Sequence, residues 1–226
     1  MKSPAILAAL MLVVQIPVHA QASKPLTTNV ERFSYGVGLQ IGQQLKRQGL
    51  SGIDTRAIAM AIEDVLAGSD LRVSMDDMRV AATAYQNELS SEKLAKAEKN
   101  KVAGDKFLEG NSTREGVVVL DSGLQYRVVE SGAGESPAET DTVVVHYRGR
   151  LLDGTEFDSS YGRGEPAEFG VGQVIPGWQQ ALQLMPVGSK WEVWIPASLA
   201  YGTEGTGGIG PNETLHFDIE LIEIKG

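Results

Sequence analysis

The hydrophobic period of this chain changes near Gly110, and that change limits what it can fold into more than any other feature. From residue 28 to about 110, apolar residues recur three or four positions apart, the spacing of one helix face. Beyond Gly110, short runs rich in valine, isoleucine and aromatic residues are separated by Gly, Pro, Asp and Ser, as strands are by turns. Helices first and strands afterwards predict an α+β chain with segregated parts.

In the helical half, a first helix is predicted over 29–48, with Phe33, Val37, Ile41 and Leu45 every four residues. Gly36, Gly38 and Gly42 fall inside it, and each costs ~0.8–1 kcal/mol against alanine in a helix interior. Close approach of another helix backbone would offset that cost, by analogy with small-residue packing in membranes; a break in the helix is the alternative. A second helix is predicted from an Asp54 N-cap to a stop at Gly68, burying Ile58, Ala61, Ile62, Val65 and Leu66. Ser74 and Asp77 form a capping pattern for a third helix, whose Met75, Met78, Ala82, Tyr85 and Leu89 make a stripe for packing on the first two. Beyond Ser90 every face is hydrophilic, which predicts either a solvent-crossing connector helix or a disordered charged linker. A continuous helix over 74–109 would span ~54 Å.

In the second half, strands are predicted over 117–120 and 124–129, around the turn Asp121-Ser122-Gly123, then over 142–152, 190–195 and 215–224. Residues 177–185, closed by Pro186, are the single helical candidate. The N-terminus reads differently again. Lys2 precedes an apolar run interrupted by Gln15, and Val18-His19-Ala20 or Ala20-Gln21-Ala22 offers small residues for cleavage, as in a secretory signal peptide. An uncleaved anchor is the alternative. The expected division is therefore 1–22 signal peptide, 23–110 helical domain and connector, 111–226 strand domain. The absence of cysteine suits an exported chain that needs no disulfides and carries no lipid on an N-terminal cysteine. A net charge of −9 disfavours nucleic acid or an anionic membrane as the main partner.

Five segments stand in a characteristic order: Val145-His146-Tyr147, Gly154-Thr155-Glu156-Phe157-Asp158, Val174-Ile175-Pro176-Gly177-Trp178, Leu199-Ala200-Tyr201-Gly202 and Thr214-Leu215-His216-Phe217. With them, residues 116–226 resemble the FKBP-type peptidyl-prolyl isomerases. The helical half, through Ser34-Tyr35-x-x-Gly38 and the long third helix, resembles the N-terminal domain of the macrophage infectivity potentiator group. The resemblance implies an antiparallel sheet wrapped around one short helix, a homodimer formed by the N-terminal helices, and residence in a bacterial periplasm or on the outer surface. It further implies proline-containing unfolded or partly folded polypeptides as substrates, macrolide inhibitor binding, and no cofactor or metal.

Carried over residue by residue, the resemblance makes Trp178 the pocket floor and Tyr147, Phe157, Phe169, Val174, Ile175 and Phe217 its walls. The Tyr201 hydroxyl and the Ile175 N–H would anchor carbonyls. Asp158 would sit near the twisted carbonyl, held by Tyr147 and Arg163. Catalysis thus falls to Asp158, Tyr201 and Tyr147. Ala167 stands where many family members carry a bulky aromatic, and the loop 202–211 is glycine-rich and expected to be mobile.

Rotation about an X–Pro bond makes and breaks no bond, so it needs neither nucleophile nor metal; it needs a site that favours the twisted amide. Rival chemistries fit poorly. Asp153, Glu156 and Asp158 suggest a hairpin turn more than a glycosidase pair. No EF-hand spacing occurs, zinc lacks cysteine ligands, and the glycine run lacks the Lys-Ser/Thr of a phosphate loop. His146 and His216 are expected to pack or face solvent. The rival from another class is a dimeric chaperone or adhesive binding protein with little turnover.

Overall fold

The computed structural model describes residues 25–50 and 52–225. The expected signal peptide lies outside the described residues. The chain forms two compact units, which divide between Arg72 and Val73.

The first unit holds α1 (Asn29–Arg47) and α2 (Thr55–Ala67). Thr28 starts α1 with a capping box: its hydroxyl accepts from the Glu31 N–H at 3.1 Å, and the Glu31 carboxylate accepts from the Thr28 N–H at 2.8 Å. Asp54 caps α2 by accepting from the Arg56 N–H at 2.9 Å, and Gly68 ends it in the left-handed conformation at φ 66°. Arg72 then forks back onto Asp64, with N···O distances of 2.8 and 3.0 Å. Helix α1 is continuous through Gly36, Gly38 and Gly42, so no break occurs there. A methyl group added at any of the three would meet nothing within 4 Å. The apolar faces expected to be buried are open instead. Phe33 is 75% exposed and Leu66 83%, and α1 buries no residue at all. Two short helices present more apolar surface than they can cover on each other.

The second unit begins with α3 (Met75–Ser112), a single 38-residue helix, which replaces the linker alternative. The Ser74 hydroxyl caps it by accepting from the Asp77 N–H at 3.1 Å. Its second half departs from the solvated connector that its composition predicts. Ala97, Gly104 and Asn111, seven residues apart and therefore on one face, are buried. The seam is built of small and amide side chains, to which a hydropathy pattern is blind.

Seven strands follow: β1 (Val117–Val119), β2 (Gln125–Glu130), β3 (Thr142–Leu151), β4 (Glu156–Ser159), β5 (Ala167–Gly170), β6 (Lys190–Ile195) and β7 (Leu215–Lys225). Every pairing is antiparallel, in the order β1-β2-β6-β7-β3-β4, and β5 also pairs with β3. One short helix, α4 (Pro176–Leu182), packs on the sheet. Val143, Val145 and Tyr147 of β3 and Leu215, Phe217, Ile219 and Leu221 of β7 point to the same buried face at a period of two. Strands β4 and β5 have one strongly β-prone residue each, Phe157 and Phe169, and so lack the signal that the three valines give the still shorter β1.

Candidate functional site

The pocket is laid out by that inward face. Register places Tyr147 opposite Ile219 and Gly149 opposite Phe217, while Phe169 of β5 pairs with Val143. Opposite them, Pro176 takes the first turn of α4, where its missing N–H costs nothing. Gly177 allows the helix to touch the sheet: a methyl group there would fall 2.4 Å from Ile195 Cγ2. This contact delivers Trp178, 4% exposed, to the centre of the pocket.

Three rings meet the Trp178 indole edge-on. Tyr147 lies 5.3 Å away between centroids at 87°, Phe217 5.3 Å at 86°, and Phe169 5.6 Å at 79°. Phe157 extends the cluster through Phe217, at 5.6 Å and 85°. Edge-to-face contacts of this kind add to the stability gained from burial and fix the rings' orientation. Gly149 makes room for the last pair, since a methyl group there would stand 2.7 Å from atoms of both Phe157 and Phe217.

These rings enclose a cavity of about 370 Å³, lined also by Asp158, Gln173, Val174, Ile175 and Tyr201. The structure thus brings together the floor, the walls and two of the polar groups named from sequence. Arg163 sits at the rim, tied to the site through its partners. Ala167 is absent from the lining. Gln173 is a lining residue that sequence reasoning missed; its only signal is its place next to Val174-Ile175.

Tyr147, Asp158 and Arg163 satisfy one another. The Tyr147 hydroxyl donates to Asp158 Oδ2 at 2.5 Å. Asp158 Oδ1 accepts from the Ser159 N–H and from Arg163 Nη1, each at 2.8 Å. Arg163 Nη2 donates to the Tyr147 oxygen at 2.9 Å, and its guanidinium lies 5.5 Å over the Tyr147 ring. Burial alone would raise the Asp158 carboxyl, but hydrogen bonds from Tyr147 and Arg163, with the Arg163 charge, hold it below the usual carboxylate range. Burial pushes the Tyr147 phenol up, and its bond to Asp158 adds to that. At neutral pH the site therefore holds a carboxylate, a neutral phenol and a guanidinium, whose charges offset each other. Among the described residues, the Ile175 N–H and the Tyr201 hydroxyl meet no partner, so both are free to bind a ligand.

Rival sites dissolve on inspection. Asp153 Oδ1 accepts from the Thr155 N–H at 2.9 Å within the hairpin turn, and Glu156 pairs with Arg148 at 3.2 Å. Glu192, His216 and Asp218 converge on the sheet, but Arg127 and Arg150 already pair with the two carboxylates. His216 stacks on Trp194 at 5.2 Å, and burial lowers its pKa.

A family model for FKBP-type peptidyl-prolyl cis-trans isomerase matches residues 133–222. A second, for the domain amino-terminal to FKBP-type peptidyl-prolyl isomerase, matches residues 30–128. The chain is 45% identical over 231 residues to an outer membrane protein MIP of Legionella longbeachae, covering 100% of this chain and 99% of that one. It is 50% identical over 192 residues to an FKBP-type 22 kDa peptidyl-prolyl cis-trans isomerase of Escherichia coli strain K12, covering 84% and 93%. The crystal structure of FkpA from Escherichia coli is similar at TM-score 0.63 and 36% identity, covering 89% of this chain and 99% of that one.

Proposed function

The chain belongs to the FKBP-type peptidyl-prolyl cis-trans isomerases, in the group of Mip and FkpA, and we propose that it works as an exported homodimer that turns Xaa-Pro bonds in folding proteins. The observation that carries the reading is the Trp178 indole held edge-on by Tyr147, Phe169 and Phe217. A proline ring seated on that surface leaves its preceding amide in a cavity walled mainly by aromatic rings. Resonance sets a barrier of ~18–20 kcal/mol to rotation of that amide. The twisted amide has lost resonance and is less polar than either planar isomer, so an apolar enclosure favours it over both.

In this reading the Ile175 N–H and the Tyr201 hydroxyl anchor carbonyls on either side of the rotating bond. Asp158, fixed by Tyr147 and Arg163, faces the twisted carbonyl. The same cavity takes a macrolide inhibitor. Residues 23–110 dimerise and connect, residues 111–226 catalyse, and residues 1–22 direct export to the periplasm or outer surface. Clients are proline-containing unfolded or partly folded polypeptides. The rate of cis-to-trans conversion of a short Xaa-Pro peptide, with and without the Asp158 carboxylate, tests the assignment.

A second reading, a dimeric chaperone or adhesive binding protein with little turnover, draws on the open apolar faces of α1 and α2, where Val30, Phe33, Val65 and Leu66 are each well exposed. We assign those faces first to the second subunit. The amino-terminal domain match and the likeness to FkpA support that choice. Client holding is then the task of the cleft between two tethered pockets.

A further inference from the structure

We propose that the C-terminal half of α3 is a clamp on the loop that carries Tyr201, and that Asn100 is the positioning residue through which the clamp acts on the reaction. The proposal rests on the reading of Tyr201 as a carbonyl anchor.

The turn before Tyr201 is closed by the Ala200 and Gly202 N–H groups, which donate to the Ala197 carbonyl at 3.0 and 2.9 Å, so what remains to be held is the loop after it. The Tyr201 hydroxyl has no partner among the described residues and the residue is 38% exposed, so its aim depends on partial packing and on the backbone on either side. That backbone leads into the glycine-rich segment 202–214, which returns to β7. The segment closes on itself: the Gly205 N–H donates to the Tyr201 carbonyl at 3.1 Å, and the Asn212 N–H to the Gly202 carbonyl at 2.8 Å. Thr206 and Ile209 exchange hydrogen bonds at 2.9 and 2.7 Å across its tip. A loop with this many glycines gains little rigidity from its own side chains.

The rigidity comes from α3. Asn100 Nδ2 donates to the Pro211 carbonyl at 2.8 Å and to Glu213 Oε1 at 2.9 Å. Asn212 Nδ2 donates back to the Ala97 carbonyl at 3.2 Å. Asn212 holds φ 53°, a left-handed conformation that among the described residues no other non-glycine adopts, and one that asparagine tolerates better than most. Lys93 Nζ reaches Glu204 Oε2 at 2.5 Å at the outer end. Gly104 lets the helix close down: a methyl group there would stand 2.4 Å from Thr214 Oγ1. Farther along, Asn111 Nδ2 donates to Gln125 Oε1 at 2.8 Å, and Gln125 Nε2 to the Leu108 carbonyl at 2.9 Å, which pins the same helix face to β2. The helix is therefore fixed to the rigid sheet at one end and to the Tyr201 loop at the other. The two hydrogen bonds of Asn100 fall on the stretch that leads back from the loop to β7.

A helix that merely stabilised the domain would make the same contacts, so the test must read Tyr201 itself. Full-length wild type, Asn100→Ala, Tyr201→Phe and the double variant are compared for kcat/KM on an Xaa-Pro tetrapeptide, at a temperature where circular dichroism shows all four folded. A clamp acting through Tyr201 makes Asn100→Ala cost about threefold to tenfold in the wild-type background and under about twofold once the hydroxyl is gone, the non-additivity of coupled residues. Asn212→Gly, which keeps the positive φ and removes the bond to Ala97, takes the place of Asn100→Ala in the same cycle if that variant does not fold. Equal losses in both backgrounds, or no loss in the wild-type background, overturn the clamp. A harmless Tyr201→Phe overturns the carbonyl-anchor assignment and the clamp together. A costly Tyr201→Phe beside a harmless Asn100→Ala overturns the clamp alone.

Discussion

The Tyr147 hydroxyl donates to Asp158 Oδ2 at 2.5 Å, and this bond joins the buried aromatic cluster to a carboxylate that lines the cavity. Tyr147 is 4% exposed and edge-on to Trp178, so one side chain touches both the floor of the pocket and its carboxylate.

Removing that hydroxyl tests the link. Tyr147→Phe keeps the ring against Trp178 and leaves Asp158 with the Ser159 N–H and Arg163. We expect the thermal midpoint to fall modestly, since one hydrogen bond to a charged group is worth about 1.5–3 kcal/mol of stability. Peptide kcat/KM should fall by about tenfold at a temperature where the variant remains folded, the rate factor that about 1.36 kcal/mol of barrier represents. A steady-state peptide assay beside a thermal melt separates the two effects.

The Asp158 carboxyl is held below its ordinary range, which fixes a direction for pH. A group whose pKa is depressed on folding stabilises the fold above its unfolded pKa, and that contribution is lost as pH falls through the folded value. Any gap in thermal midpoint between wild type and Asp158→Asn should therefore be full at neutral pH and close in the acid carboxylate range. Melts of both proteins from neutral to acid pH check this; a gap that widens on acidification contradicts it.

Gly149→Ala places a methyl group against Phe157 and Phe217. Overpacking of this kind costs about 1–3 kcal/mol, and the displaced rings narrow the cavity. Both the thermal midpoint and kcat/KM should fall. A Gly149→Ala protein with normal activity would show that the Phe157–Phe217 pair does not shape the site.

The open face of α1 gives a prediction for assembly. Phe33→Glu should halve the mass seen by light scattering while leaving peptide turnover within about twofold, because Phe33 belongs to the other compact unit and is no part of the pocket lining, and independent sites add. Refolding of a protein client should slow more than peptide turnover, since two tethered pockets lose their mutual avidity.

The buried seam of α3 makes the position of a truncation matter. Removing residues up to about 90 keeps Lys93, Asn100, Gly104 and Asn111 with the sheet. Removing them up to 110 strips all but Asn111. Both forms should be monomeric, but the shorter should melt earlier and turn over peptide more slowly. Equal melting and equal turnover would mean that the seam contributes nothing.

Much of this architecture is legible in the sequence, and the illegible parts have physical reasons. Strands β3, β6 and β7 show themselves because each buries one face and so alternates. The caps at Asp54 and Ser74 are readable because their side chains bond locally. Strands β4 and β5 escape notice because each carries one β-prone side chain and is held in place by pairing with β3. The α3 seam escapes because Ala97, Asn100, Gly104 and Asn111 bury little apolar area; shape and amide hydrogen bonds hold it instead. The faces of α1 and α2 are read correctly as apolar, but a periodic pattern shows that a face is sticky and not what it meets, so their exposure in the single chain carries no sequence signal. Most of the pocket lining is visible through motif order, whereas Gln173, a lone polar residue, carries no pattern.

The most direct measurement is the cis-to-trans rate of a short Xaa-Pro peptide with the full-length protein, beside folded Asp158→Leu and Tyr201→Phe variants. The account predicts clear acceleration by the wild type and a marked fall in both variants. A folded wild type that does not accelerate the conversion, or variants that match it, would contradict the placement of catalysis in this pocket.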